Sequence, residues 1–186
     1  MKNLQIHESK LNILFQRIRE NDQASFREFF IIMQPSIYNF IFRYTCNKET
    51  AEDLTQETFI KLWIHRTRLN FNSSPKAYLY KIARNLALNH LERKATPDII
   101  PTEKDYLVLL SQKTKEDLDE IFFLDDFQKA INLLPERCRA TFLLSRFGGF
   151  DYSEIAEIMD VSLQTVKNQM NKAISVLRNL LAYYIN

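Results

Sequence analysis

Apolar side chains recur along this chain every three or four residues, the spacing that lays them along one face of an α-helix. In residues 22–45 the series Phe26, Phe29, Phe30, Met33, Ile37, Phe40, Ile41 and Tyr44 predicts a helix opened by Asp22 as its cap, with Pro35 forcing a kink or break. A second helix is predicted from Asn47 or Thr50 to about Arg68. A third opens at Ser74, with Pro75 at its first position, and ends near Lys94. Together they make a first domain of three or four helices, placed at 10–94. From Ala95 to about Glu120 the periodicity lapses, Pro97 and Pro101 intervene and the chain turns acidic, which are the marks of a linker, placed at 95–121. Four more helices are predicted at 122–134, 135–147, 151–159 and 162 to about 184, giving a second domain at 122–186. The expected fold class is all-α: two helical domains on a flexible linker.

Composition sharpens this picture. With 46% hydrophobic residues in 186, each domain can build a core, and two glycines leave few tight turns. No run of about 18 apolar residues occurs and MKNLQIHESK lacks the apolar stretch of a signal peptide, so a cytoplasmic protein is expected. Cys46 and Cys138 lie far apart in helical patterns, which suits reduced, buried thiols. His7, His65 and His90 are scattered, no cysteine and histidine share metal-ligand spacing, and no glycine-rich phosphate loop exists. Glu52, Asp53 and Glu57 do not share one helix face. Neither catalysis, nor a metal, nor a cofactor, nor a small-molecule substrate is expected.

Charge is segmented: net +6 over residues 1–95, −6 over 96–126 and +2 over 127–186. Within 61–94 stand eight basic residues, Lys61, Arg66, Arg68, Lys76, Lys81, Arg84, Arg93 and Lys94, against Glu92 alone. A cluster of one sign looks for phosphate, whereas a merely solvated face usually mixes signs.

The strongest local pattern is DYSEIAEIMDVSLQTVKNQMNKAISVLRNLL, a short helix, a tight turn and a longer helix. Asp151 with Glu154 reads as a capping box, and Ser162 caps the second helix. Ile155, Ala156 and Met159 face inward, as do Val166, Met170, Ala173, Leu177 and Leu180. Opposite them stand Gln164, Thr165, Lys167, Asn168, Asn171 and Lys172: amides suited to adenine edges and lysines suited to phosphates, the chemistry of a helix-turn-helix in the major groove.

Two further surfaces lie in the first domain. Lys81, Asn85, Asn89 and Arg93 recur every four residues, with Lys76, Tyr80 and Arg84 on the adjacent line; amides, cations and a tyrosine suit a strand whose bases are unstacked. The preceding loop LNFNSSP carries Phe71, which can hold a flipped base or plug the core. In ETAEDLTQETFIKLWIHR, Asp53, Gln56, Glu57, Ile60 and Ile64 form one stripe while Leu54, Phe59, Leu62 and Trp63 cover much of the rest. A small domain cannot readily bury every face of such a helix, which points to a protein partner unless a neighbouring element covers the stripe. These residues leave open a two-domain transcription factor whose first domain senses a ligand or dimerises, although a sensor needs no second nucleic-acid surface.

DLTQETFIKLW followed by SPKAYLYKIARNLALNHLERK resembles region 2 of RNA polymerase sigma factors, and LPERCRATFLL with FDYSEIAEIMDVSLQTVKNQMNKA resembles region 4. The absence of regions 1 and 3 makes the chain similar to the extracytoplasmic-function group of the sigma-70 family, and its Asn-, Ile- and Phe-rich wording resembles members from Bacteroidetes. The resemblance implies that Asp53, Gln56, Glu57, Phe59, Ile60 and Trp63 dock on core RNA polymerase. It implies that Asn70, Phe71, Asn72, Ser73, Lys76, Tyr80, Lys81, Arg84, Asn85, Asn89 and Arg93 serve the melted −10 element of promoter DNA. Ser162, Gln164, Thr165, Lys167, Asn168, Asn171 and Lys172 would read the −35 duplex, and the acidic linker would thread toward the active-site cleft. It further implies a membrane-anchored anti-sigma factor as a partner. Three departures qualify the carry-over. Asp160 stands where the family's turn usually has glycine; Gln169 and Ile174 replace positions often basic, leaving more of the phosphate binding to Lys167 and Lys172; and Asn89 replaces a frequent aspartate.

Overall fold

A computed structural model describes residues 2–68, 74–94 and 119–184, and among these it contains α-helices and short 3-10 turns with no strand. The elements are α1 (Lys2–Arg19), α2 (Gln23–Thr45), α3 (Lys48–Ile64), a 3-10 turn (Arg66–Arg68), α4 (Pro75–Lys94), α5 (Asp119–Asn132), α6 (Glu136–Arg146), α7 (Tyr152–Met159), α8 (Leu163–Leu180) and a 3-10 turn (Ala182–Tyr184). The loop at 69–73 and the linker at 95–118 lie outside the described residues.

Helix α2 organises the first group. Asp22 caps it, accepting from the Ala24 amide at 2.9 Å and the Ser25 hydroxyl at 2.7 Å, and these bonds hold its carboxyl below the usual carboxylate range. Pro35 does not break the helix. It withdraws one backbone donor on an exposed face, where Ile31 and Pro35 both meet solvent and water can serve the freed carbonyl. The inward face, Phe29, Met33, Ile37, Phe40, Ile41 and Tyr44, is covered by α1, α3 and α4. Buried Thr55 and Thr58 return their hydroxyls to the carbonyls of Ala51 and Leu54, so neither leaves a polar atom unsatisfied.

Sequence places the first domain from residue 10 but predicts no helix before Asp22; α1 fills that stretch, and its Leu11, Leu14, Phe15 and Ile18, at helical spacing, are all buried. The expectation that both thiols are buried holds only by half. Cys138 is buried, but Cys46 is exposed, because α2 ends one residue earlier and Cys46 takes the left-handed C-cap position at φ 53°.

The second group packs α6, α7 and the buried face of α8 (Val166, Met170, Ala173, Leu177) around Leu143, Leu144, Ile155 and Ile158. Tyr184 ties the last turn to α5 by a hydroxyl bond of 2.5 Å to Asp126. Between α6 and α7 the chain spends both of its glycines. A Cβ on Gly148 would lie 2.6 Å from the Leu144 carbonyl oxygen, and Gly149 sits at φ +67°. This turn aims Phe150 out of its own group and into the other: α2 and α4 pack directly on α6 and α7.

Candidate nucleic-acid interface

The capping box at α7 forms as its sequence implies. Asp151 accepts from the amides of Ser153 (2.8 Å) and Glu154 (2.9 Å), and Glu154 accepts from the Asp151 amide at 2.8 Å. Asp160 then closes α7 in the left-handed region at φ 57°, the role glycine usually takes. Ser162 opens α8, accepting from the Thr165 amide at 3.1 Å, with the two hydroxyls 2.8 Å apart.

Along α8, Gln164, Lys167, Asn168, Asn171 and Lys172 are exposed on one side and Thr165 is half-buried by its bond to the cap. Gln164 donates to Asn168 at 3.0 Å, which holds two amides in a row along the helix face. Gln169 turns the other way: the buried Thr141 hydroxyl donates to it at 2.7 Å. The loss of a cation there therefore leaves an interior contact, and the surface cations of this helix stretch are Lys167 and Lys172.

On α4 the two lines of residues meet different fates. Lys81, Asn85, Asn89 and Arg93 are all exposed, one below another at four-residue steps. Tyr80 is not available to a base as the sequence reading expected. It is 1% exposed, its ring edge-on to Phe40 (centroids 5.1 Å apart) and to Phe150 (5.0 Å). Burial pushes its phenol up to about 12. Lys76 is half-buried, with its ammonium 4.5 Å from the centroid of the Phe150 ring. Arg84 is likewise half-buried, donating to Asn85 (3.1 Å) and to Glu136 of the second group (3.3 Å). Asn70, Phe71, Asn72 and Ser73 lie outside the described residues.

On α3, Asp53 and Gln56 are exposed, Glu57 pairs with Lys61 at 3.4 Å, and Ile60 and Ile64 are 55% and 60% exposed. Phe59 differs from the expectation. At 2% exposure it packs edge-on to Phe30, centroids 4.7 Å apart, and belongs to the core beneath the stripe. Trp63 is half-buried between Phe26 (4.9 Å) and the Arg66 guanidinium (4.4 Å), and Arg66 in turn grips Asn21. Phe26, Phe30, Ile31 and Trp63 line an open groove of about 830 Å³.

The residues that join the two groups were not read as functional from sequence. Glu136 accepts from the Tyr44 hydroxyl at 2.5 Å as well as from Arg84, and Arg139 donates to the carbonyls of Tyr44, Asn132 and Leu134. Burial first, and the Glu136 charge second, drive the Tyr44 phenol far above its ordinary range. Arg43 lies 4.1 Å from the centroid of the Phe147 ring, and Gln128 donates to the Arg43 carbonyl at 2.9 Å. Glu136 sits in the quoted LPERCR segment, but helical spacing says nothing about a partner 52 residues away on another helix.

Two helical groups, one with a capped helix-turn-helix and the other with a basic, amide-bearing helix, define a two-domain nucleic-acid-binding protein. The family model Sigma-70 region 2 matches residues 30–96, and that of Sigma-70, region 4 matches residues 124–177. The chain is 26% identical over 175 residues to the ECF RNA polymerase sigma factor SigW of Bacillus subtilis, covering 89% of this chain and 94% of that one. It is 27% identical over 169 residues to the RNA polymerase sigma-H factor of Pseudomonas aeruginosa, covering 86% of this chain and 88% of that one. Among solved structures it resembles CnrH in complex with the cytosolic domain of CnrY (TM-score 0.73, 16% identity, 94% of this chain and 98% of that one). It also resembles the sigma factor RpoE from Bartonella quintana in complex with the anti-sigma factor NepR (TM-score 0.65, 25% identity, 84% and 96%). The chain belongs to the sigma-70 family of RNA polymerase sigma factors, in its extracytoplasmic-function group. It is a transcription initiation factor that binds core RNA polymerase and directs it to promoters.

Proposed function

We propose a division of labour among three helix faces. The stripe Asp53, Gln56, Glu57, Ile60 and Trp63 on α3 docks on core polymerase, with Phe59 holding the stripe's shape from beneath. Large exposed apolar groups ringed by carboxylates and an amide are what a protein partner covers. The exposed line Lys81, Asn85, Asn89 and Arg93 on α4, joined by Lys76 and Arg84 once they are uncovered and by Asn70, Phe71 and Asn72 of the preceding loop, holds the opened strand of the −10 element. There the cations meet phosphates and the amides meet base edges. Helix α8 reads the −35 duplex through Gln164, Asn168 and Asn171, positioned by Ser162 and Thr165 at its cap and by Lys167 and Lys172 on the backbone.

The observation that carries this reading is the pair of independent exposed polar faces, one on α4 and one on α8, in separate helical groups. A repressor needs one such face; a factor that must hold both a duplex and an opened strand needs two. The chain performs no chemistry of its own, works in the cytoplasm alongside polymerase, and is held inactive by an anti-sigma factor, as its solved relative is captured with one. No described helix is long and apolar enough to cross a membrane.

Transcription in vitro with core RNA polymerase on fragmented genomic DNA, followed by sequencing of RNA 5′ ends, tests the reading. New starts sharing motifs near −10 and −35 only when this protein is present are the expected result. Binding to duplex DNA without any core-dependent start overturns it.

A further inference from the structure

The buried stripe of α8, Val166, Met170, Ala173 and Leu177, holds that helix down without fixing its rotation. Apolar burial has no preferred direction, Ala173 is small and Met170 is adaptable, so the stripe alone tolerates a roll of the helix about its own axis. Side-chain tips stand about 5–6 Å from a helix axis, and a roll of about 20° carries each of them by about 2 Å. That is more than a hydrogen bond to a base edge tolerates.

Two directional ties oppose such a roll. At the first turn the Thr165 amide donates to the Ser162 cap at 3.1 Å. Four residues further on, along the same line of α8, the Gln169 amide oxygen accepts from the Thr141 hydroxyl at 2.7 Å. Thr141 lies fully buried in α6, and its hydroxyl is also 3.3 Å from the sulfur of Met159, the last residue of α7. One hydroxyl thus touches both helices of the helix-turn-helix. Thr141 does not need Gln169 to be satisfied, because the Arg137 carbonyl one turn back in α6 is 2.9 Å away, and bonds of that kind serve the buried Thr55 and Thr58 in α3. What Gln169 adds is direction. Gln164 and Asn168 each precede Thr165 and Gln169 by one position, so the tied line and the exposed amide line run side by side, about 100° apart on one helix. The bond from Gln164 to Asn168 at 3.0 Å makes those two amides turn together. We infer that Thr141 and Gln169 are positioning residues for promoter recognition: their hydrogen bond sets the roll of α8 on α6 and so decides which base edges Gln164, Asn168 and Asn171 meet. The inference rests on the −35 reading of α8.

The test uses the full chain with core RNA polymerase, on a promoter mapped from RNA 5′ ends whose −35 element is randomised and whose transcript carries a barcode for each template. Sequencing the RNA gives the base preference at −35, and a thermal melt of each variant reports its stability. Gln169→Met keeps an unbranched side chain of similar length without the acceptor, Thr141→Val removes the donor, and Thr141→Ser retains it. In the first two the advantage of the best −35 sequence over its single-base variants is expected to fall about tenfold, the cost of one or two misdirected base-edge contacts. Thr141→Ser is expected to keep the wild-type preference. A purely structural role would instead lower the melting temperature and the transcription of every template alike, leaving the preference as it was. That result in Gln169→Met, whose side chain is only half-buried, overturns the inference, and so does a Thr141→Ser profile as flat as that of Thr141→Val. Failure of the underlying reading shows elsewhere: Asn168→Ala with the wild-type −35 preference removes α8 from that recognition, whatever Thr141 and Gln169 do.

Discussion

The ring of Phe150 meets that of Tyr80 edge-on with centroids 5.0 Å apart, so the aromatic core of α4 is completed by a residue that follows it by 70 positions. Tyr80 also leans on Phe40 at 5.1 Å, which makes it the middle of three rings running from α2 through α4 into the second group. The stability of the two groups is therefore coupled through this row.

Phe150→Ala leaves a void against Tyr80 and withdraws the ring under Lys76. It is expected to lower the unfolding free energy by about 3 kcal/mol and to resolve one urea transition into two, followed by tyrosine fluorescence and circular dichroism together. A single transition at an unchanged midpoint means that the rings are not coupled.

Alkali acts on the same row. Tyr80 is pushed up to about 12 by burial, and Tyr44 is raised as well, by burial and then by the charge of Glu136. In the unfolded chain both ionise near the ordinary value of about 10. Because the folded form holds these protons longer, their contribution to stability is complete below about pH 10; that of Tyr80 is lost as pH rises through about 12, and that of Tyr44 is lost at still higher pH. Tyrosinate absorbance is expected to show Tyr44 and Tyr80, of the eight tyrosines, ionising only as helicity falls, with Tyr78 also delayed by burial. Tyr44→Phe and Tyr80→Phe should each remove one late step.

At the turn of the helix-turn-helix, Asp160 holds φ 57° where a side chain is disfavoured. Asp160→Gly is expected to stabilise the chain by about 0.5–1 kcal/mol, read as a higher melting temperature. Asp160→Val should lower it. A gain from valine would contradict the left-handed geometry.

Thiol reactivity separates the two cysteines. Cys46 is exposed at the end of α2, whereas Cys138 is buried in α6, where loss of solvation also raises its thiol pKa. An excess of aromatic disulfide reagent is expected to modify one thiol quickly and the second only in denaturant. Cys46→Ser should abolish the fast phase.

The helices were legible because their cues are local. Asp22, Asp151 and Ser162 cap helices where sequence places them, Asn47 rather than Thr50 opens α3, and the stripe Val166, Met170, Ala173, Leu177 is buried as its spacing implies. Of the kink or break expected at Pro35, the break does not occur, since proline on a solvent-facing side of a long helix costs one bond that water replaces. Phe59 and Tyr80 were drawn to the surface by their neighbours in chemistry, Gln56 and Arg84, while packing against Phe30, Phe40 and Phe150 took them inside. Whether an aromatic on a polar helix faces in or out depends on which element lies across it, and no periodicity carries that. The joining residues Glu136 and Phe150 were unread for the same reason: their partners are distant in sequence and belong to another helical group.

Permanganate probing of promoter thymines in complexes of core polymerase with this protein tests the central claim most directly, on a promoter mapped from RNA 5′ ends. The wild-type chain is expected to expose thymines around −10. A variant with Asn85→Ala and Asn89→Ala, two exposed positions that leave the buried core untouched, should bind core equally well and lose at least about tenfold in opening, the cost of one or two base-edge contacts. Equal permanganate reactivity and equal start-site use by the variant would contradict the assignment of α4 to the opened strand.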